Sequence, residues 1–145
     1  MLAIGCDHGG YALKQEIMAH LTKRGIEFKD FGTYSEASCD YPIYAEAVAA
    51  AVAGGECERG ILICGTGIGI SIAANKVKGI RCALCADCFS AEMTRLHNNA
   101  NILALGARTT GSGLALKIVD TFLDTGFEGG RHANRVNLIH EIENR

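Results

Sequence analysis

Gly60-Ile61-Leu62-Ile63-Cys64-Gly65-Thr66-Gly67-Ile68-Gly69-Ile70-Ser71 is the stretch whose reading decides the fold. Gly60–Cys64 is apolar without alternation, which predicts a strand buried on both faces. Glycines at 65, 67 and 69 predict a tight turn over Gly65–Gly69, and Ile70–Val77 reads as a helix. A doubly buried strand running through a glycine turn into a helix is the unit of a parallel sheet covered on both sides.

The same alternation recurs on either side. Leu2–Cys6 reads as a strand, and Tyr11–Arg24 as a helix with Leu13, Ile17 and Leu21 at helical spacing, stopped by Gly25. Ile26–Phe31 reads as the second strand. Pro42, the only proline, suits a helix start ahead of the alanine-rich Tyr44–Ala53. Beyond the glycine turn come a strand over Gly79–Cys85, a helix over Ser90–His97, a strand over Ile102–Leu105 and a helix over Gly113–Leu123. A last helix runs from about Ala133 to the end. The expected fold is α/β: a three-layer α/β/α Rossmann-like sandwich with a five-stranded parallel sheet and an extra C-terminal helix, as one domain over residues 1–145. Such sheets bind ligands at the carboxyl ends of their strands. That edge carries Asp7 and His8, Gly32 to Ser35, Gly65 to Ser71, Ala86 and Asp87, and Gly106 to Arg108.

Composition narrows the classes. Of the 145 residues, 48% are apolar and 21% charged, enough for one closed core. The net charge of −2 implies no basic face, so no nucleic-acid partner is expected. No apolar run is long enough to span a bilayer, and the Met1-Leu2-Ala3-Ile4-Gly5 start reads as a strand rather than an export signal. A cytoplasmic protein without membrane association is expected. Seven cysteines, an odd number, argue against a disulfide framework. Cys82, Cys85 and Cys88 are spaced like part of an iron–sulfur run. Residues three apart on a strand face opposite ways, however, and no second cluster exists, so no metal is expected.

The glycine turn admits several chemistries. Its amides can converge on an anion, either a phosphate or an oxyanion formed during reaction. A dinucleotide site needs a third glycine three residues on; the spacing is wrong, although Asp87 falls near the acidic position of that motif. A Walker A loop needs Gly-Lys-Ser/Thr, which is absent. A cysteine phosphatase needs an arginine six residues after the cysteine, where Ile70 stands. Cys64 itself, directly before the amides, is placed like a thiol that acts as base or nucleophile; a buried strand cysteine is the plainer reading.

Other polar groups reach the same edge. Asp7 and His8 can hold sugar hydroxyls or a phosphate, or Asp7 can simply cap the first helix. His97 and Asn98 end the fourth helix, where His97 can exchange a proton near neutral pH or only complement the dipole. Arg108 follows the fifth strand. Arg131 and Arg135 are four apart, so they share a helix face and can converge on a phosphate. Cations at a helix start are otherwise disfavoured, and an anionic ligand relieves that conflict.

Taken together, Gly5-Cys6-Asp7-His8, Asp40-Tyr41-Pro42, Gly60 to Lys76, Arg95-Leu96-His97-Asn98 and Glu128-Gly129-Gly130-Arg131-His132 resemble the ribose-5-phosphate isomerase B family, over nearly the whole chain. That family also includes galactose-6-phosphate and allose-6-phosphate isomerases. The resemblance implies a cofactor-free and metal-free interconversion of ribose 5-phosphate and ribulose 5-phosphate through an enediolate, a step of the pentose phosphate pathway. It makes Cys64 the base between C2 and C1, with Thr66 moving protons between O1 and O2. The amides of Gly65, Gly67, Ile68 and Gly69 would hold the enediolate, with Ser71 closing the same motif. It assigns ring opening to His97 with Asp7, phosphate binding to His8, Arg108, Arg131 and Arg135, and sugar contacts to Tyr41 and Asn98. Some members use a glutamate as base at the position of Ile70; here the base falls to Cys64. The resemblance further implies a homodimer, or a tetramer built from it, with sites shared between subunits. Allose or galactose 6-phosphate is the alternative substrate, and a non-catalytic nucleotide-binding module the alternative class.

Overall fold

The computed structural model describes residues 1–145. Its elements are β1 (Leu2–Cys6), a 3-10 turn at His8–Gly10, α1 (Tyr11–Lys23), β2 (Phe28–Asp30), α2 (Tyr41–Ala53), β3 (Arg59–Cys64), α3 (Ile68–Ala74), β4 (Cys82–Leu84), α4 (Cys88–Asn98), β5 (Ile102–Gly106), α5 (Ser112–Asp124) and α6 (Arg131–Glu143). All strand pairings are parallel, in the order β2-β1-β3-β5-β4. The expected five-stranded α/β architecture with its extra C-terminal helix is what forms. The chain winds from β1 to one edge, then from β3 to the other. The carboxyl ends of β1 and β3 therefore flank the point where the winding reverses, the usual ligand crevice of such sheets.

Strand alternation divides the core. Ile61 and Ile63 of β3 join Leu13, Ile17 and Leu21 of α1 and Ile118, Val119 and Phe122 of α5 in one cluster. Leu62 and Cys64 turn to the opposite face, among Ala45, Val48 and Ala49 of α2 and Ile70 and Ala74 of α3. β1, β3 and β5 are buried on both faces except at the β3 start, as their continuous apolar runs require. The polar ends of these strands are the places left for chemistry.

The edges depart from the sequence reading. β2 and β4 are three residues each, where six and seven are expected. Side chains replace the ladder at β4: the Arg81 amide donates to Asn101 Oδ1 at 2.8 Å, and Asn75 pairs with both backbone groups of Cys82, at 2.7 and 2.9 Å. Such pairing shortens and blunts an edge that would otherwise offer free hydrogen-bonding groups. α3 starts two residues early, at Ile68, and ends at Ala74 with Asn75 as its C-cap. α2 starts at Tyr41 with Pro42 inside its first turn. α6 starts at Arg131 rather than Ala133.

Two buried cations brace the loops that carry polar residues. Lys14 on α1 is fully buried. Its ammonium donates to Asp30 Oδ1 at 2.6 Å and to the Thr33 carbonyl at 2.5 Å, and it lies over the Tyr11 and Tyr34 rings. This ties the segment after β2 to the end of β1, where the Cys6 and Thr33 backbones also bond. Arg95 on α4, 4% exposed, donates to the Ala100 and Thr125 carbonyls and to Asn99 Oδ1. Burial, reinforced by Arg59 and Arg81, lowers its guanidinium to about 10. It fixes the turn that ends α4, where Asn99 is left-handed at φ 48°. Removing one partner of a buried pair strands the other. Lys14→Ala is therefore expected to lower unfolding free energy by about 3 kcal/mol, measured by urea denaturation. Lys14→Met, which keeps the volume, should cost no more because Asp30 is partly open to water.

Candidate active site

Backbone hydrogen bonds align the ends of β1, β3 and β5. The Asp7 amide donates to the Ile63 carbonyl, the Ala107 amide to the Cys64 carbonyl, and the Arg108 amide to the Gly65 carbonyl. Cys64 thereby sits between the loops that carry Asp7, His8 and Arg108. Its side chain is 5% exposed, and the Gly67 amide donates to Sγ at 3.1 Å. That hydrogen bond needs a left-handed residue 67: Gly67 has φ 78°, and a Cβ there would collide with Leu84 and the Leu105 backbone. α3 is only seven residues long. The positive character beside Cys64 therefore comes from individual loop amides more than from a macrodipole.

Around this turn the predicted residues assemble in part. Asp7, 8% exposed, accepts from the Gly9 and Gly10 amides through Oδ1. It is the cap that the sequence allows, and Oδ2 takes no hydrogen bond within the chain. The Gly9 backbone approaches the Gly65 amide, so the His8–Gly10 turn lies directly on the glycine loop. The Cys39 amide donates to His8 Nδ1 at 3.2 Å. In the neutral ring this puts the proton on Nε2, free to donate to a phosphate oxygen. The exposed Arg108 side chain lies over Gly65 without a carboxylate partner. The Tyr41 ring packs against Gly69, where a Cβ would meet Cζ at 2.6 Å. Thr66 is exposed, with Oγ1 accepting from the Ile68 amide at 3.2 Å. The Ser71 hydroxyl donates to the Ile68 carbonyl at 2.7 Å, so that proton is used inside α3.

A second group forms elsewhere, where α6 packs on α4. His97 and Asn98 end α4; Arg131 begins α6 after Gly129 and Gly130, both at positive φ. Arg131 and Arg135 are exposed and carry no ion pair. Between the two helices lies a cluster that the sequence reading did not single out. The His97 and His132 rings stack with centroids 4.1 Å apart and planes 13° apart. Glu128 faces both, with Oε2 3.8 Å from His97 Nε2 and Oε1 3.9 Å from His132 Nε2. His132 is 5% exposed, and its Nε2 has no hydrogen-bond partner. Burial first, then the neighbouring His97, holds its imidazolium below the ordinary histidine range. The i,i+4 spacing of Glu128 and His132 was the available signal, but the two precede and open a helix, where spacing alone says little.

These three side chains form the one group of metal-capable donors, with ligand atoms within 4.8 Å of one another. The ring planes are stacked and nearly parallel, so one ion cannot lie in the plane of both imidazoles, as good ligation by two histidines asks. Cys82, Cys85 and Cys88 form no such group; burial pushes the Cys82 thiol up to about 12 and Cys85 to about 11. The largest cavity, about 510 Å³ between β4, α4 and α6, is lined by Asn98 alone among the predicted residues. The Cys64 turn and the His97 group thus lie at separate places, and neither is enclosed within this chain.

Comparison with known proteins converges on one family. Residues 2–139 match the Ribose/Galactose Isomerase family model. Ribose-5-phosphate isomerase B of Escherichia coli strain K12 is 56% identical over 144 residues, covering 99% of this chain and 97% of its own length. Among solved structures, ribose-5-phosphate isomerase B of Clostridium thermocellum superposes with a TM-score of 0.98 at 61% identity, covering 99% and 97% of the two chains. That of Mycoplasma genitalium, with bound ribulose 5-phosphate, has a TM-score of 0.95 at 42% identity over 99% and 96%. With the family model matching residues 2–139 and a relative and a solved structure each aligned over 99% of its length, this chain belongs to the ribose/galactose isomerase family.

Proposed function

We infer that the chain is a sugar-phosphate isomerase interconverting ribose 5-phosphate and ribulose 5-phosphate. The observation that carries this is the Cys64 sulfur under the Gly67 amide at 3.1 Å, on a sheet edge shared with Asp7, His8 and Arg108. A hydrogen on carbon beside a carbonyl is weakly acidic. Its removal needs a poised base and preorganised donors for the charge that develops. In this reading the Cys64 thiolate takes the C2 hydrogen, and the C2–H electrons form the C1–C2 double bond as charge moves to O1. Loop amides hold that oxyanion, each good donor being worth about 3–4 kcal/mol in such sites. Thr66 passes the O2 proton toward O1, and Cys64 returns its proton to C1 as the C2 carbonyl forms. The chemistry needs no cofactor.

Ring opening precedes this in the aldose direction. The C1–O4 bond breaks, O4 gains a proton and the C1 hydroxyl loses one. His97 mediates this transfer with Asp7 at the ring oxygen. His8, Arg108, Arg131 and Arg135 bind the phosphate, whose remote binding energy orients the reacting carbons. Tyr41 and Asn98 contact the sugar.

These roles require the His97 group to meet the Cys64 turn, and the two lie apart in one chain. We propose a homodimer in which each site takes its thiol from one protomer and His97, Asn98, Arg131 and Arg135 from the other. The exposed apolar side chains support this. Ile68 and Ile72 stand on one face of α3, 51% and 56% exposed, while Phe89 is 72% and Ile142 62% exposed. Large apolar side chains left this exposed fit an association surface.

Cys64→Ala is expected to lower kcat for ribose 5-phosphate at least about 10³-fold while the protein stays folded with only a small drop in melting temperature, in a coupled assay with parallel thermal denaturation. Wild-type kcat/KM should be highest for ribose 5-phosphate among ribose 5-, allose 6- and galactose 6-phosphates. Arg131→Ala should raise KM for ribose 5-phosphate by about 10- to 100-fold through loss of a charge-assisted contact, with a smaller effect on kcat. Full activity in Cys64→Ala, or an unchanged KM in Arg131→Ala, would contradict the corresponding role.

A further inference from the structure

The contacts around His97 do not by themselves account for its stacking on His132. His97 is 39% exposed and ends a helix; its nearest charged partner, Glu128, is itself 54% exposed and 3.8 Å away. A contact that long and that wet does not hold an imidazole in one rotamer. The face of His132 does. It lies 4.1 Å from the His97 ring, nearly parallel, and is itself locked, being 5% exposed and anchored in the first turn of α6. The cost of this arrangement is visible: His132 Nε2 is buried without a hydrogen-bond partner. A polar atom left unpaired in the interior is unfavourable, and it persists where another demand overrides it.

We propose that His132 is a positioning residue for ring opening: its buried ring acts as a stacking platform that fixes the plane of His97 toward the furanose. This rests on the ring-opening role given to His97 above. The neutral state of His132 suits the task, because a second imidazolium 4.1 Å away would repel His97 whenever His97 carried the proton. Arg131 and Arg135 on the same helix, with Glu128 before it, are the other charged groups facing the pair. Both arginines act against a charge on His132, and Glu128 is the one anion the two rings share.

The substrate's own chemistry separates positioning from general damage. Ribose 5-phosphate is a furanose in solution and must be opened. Ribulose 5-phosphate cannot close through O5, which is esterified, so it enters open-chain and reaches the enediolate without ring opening. Exchange of the C1 hydrogen of ribulose 5-phosphate with D2O, followed by NMR, reads the Cys64 chemistry alone. Turnover of ribose 5-phosphate reads ring opening as well.

His132→Ala is expected to lower turnover of ribose 5-phosphate by about tenfold or more while leaving C1 exchange from ribulose 5-phosphate near wild type. His132→Phe, which keeps a flat stacked ring and discards the nitrogens, should restore most of the turnover, and His132→Gln, which keeps a polar group without the ring, should not. Equal losses in both assays for His132→Ala, no loss in either, or rescue by glutamine rather than phenylalanine would overturn the proposal. His97→Ala run alongside tests the reading beneath it. If that variant loses both assays equally, the ring-opening role of His97 is wrong; if it loses turnover selectively while His132→Ala is normal, only the platform is wrong.

Discussion

The amide of Gly67 points at the sulfur of Cys64, and the rest of the site is arranged around that contact. It exists because the backbone turns left-handed at residue 67, where only a missing side chain clears Leu84 and the backbone of Leu105. The turn is held from both sides by the strands it follows. β1 delivers Asp7 to the Ile63 carbonyl, and β5 returns Ala107 and Arg108 to the carbonyls of Cys64 and Gly65. A thiol at this position faces the amide hydrogen of a buried glycine within a preorganised turn. Carbon deprotonation requires that setting, because the donors then need no reorganisation when charge appears.

The sheet also explains why the proposed site residues fall into two groups within one chain. Its carboxyl edge brings together residues from β1, β3 and β5, but α4 and α6 carry His97, Asn98 and the paired arginines elsewhere. Arg131 and Arg135 are unpaired cations in the first turns of α6, an unfavourable placement without an anion. Ile68 and Ile72 stand exposed on α3 beside the turn, and Leu138, Ile139 and Ile142 on α6. Two incomplete polar clusters and apolar surface on the elements that bear them are mutually explanatory if a second copy joins them.

The central features were legible in the sequence because each rested on a strong local signal. Continuous apolar runs marked β1, β3 and β5, and the glycines at 65, 67 and 69 marked the turn. The edges were harder. β2 and β4 read as longer strands from their apolar content, whereas the side chains of Asn75 and Asn101 take the β4 backbone bonds that a ladder would have used. α3 begins at Ile68, directly after the left-handed turn at Gly67, which composition alone does not reveal. The buried brace Lys14 carries no signal of its own within an amphipathic helix, and neither does His132 beside Arg131. A histidine one residue past a helix start gains meaning only when the fold lays it on His97.

In the proposed dimer a Cys64 from one protomer works with a His97 from the other, and mixing two inactive variants tests this directly. Cys64→Ala and His97→Ala proteins are each unfolded, combined in equal amounts and refolded together, and turnover of ribose 5-phosphate is measured. Shared sites give each hybrid dimer one site with both residues intact, so activity should reappear at about a quarter of the wild-type level under random pairing. A mixture no more active than its two components would contradict the account.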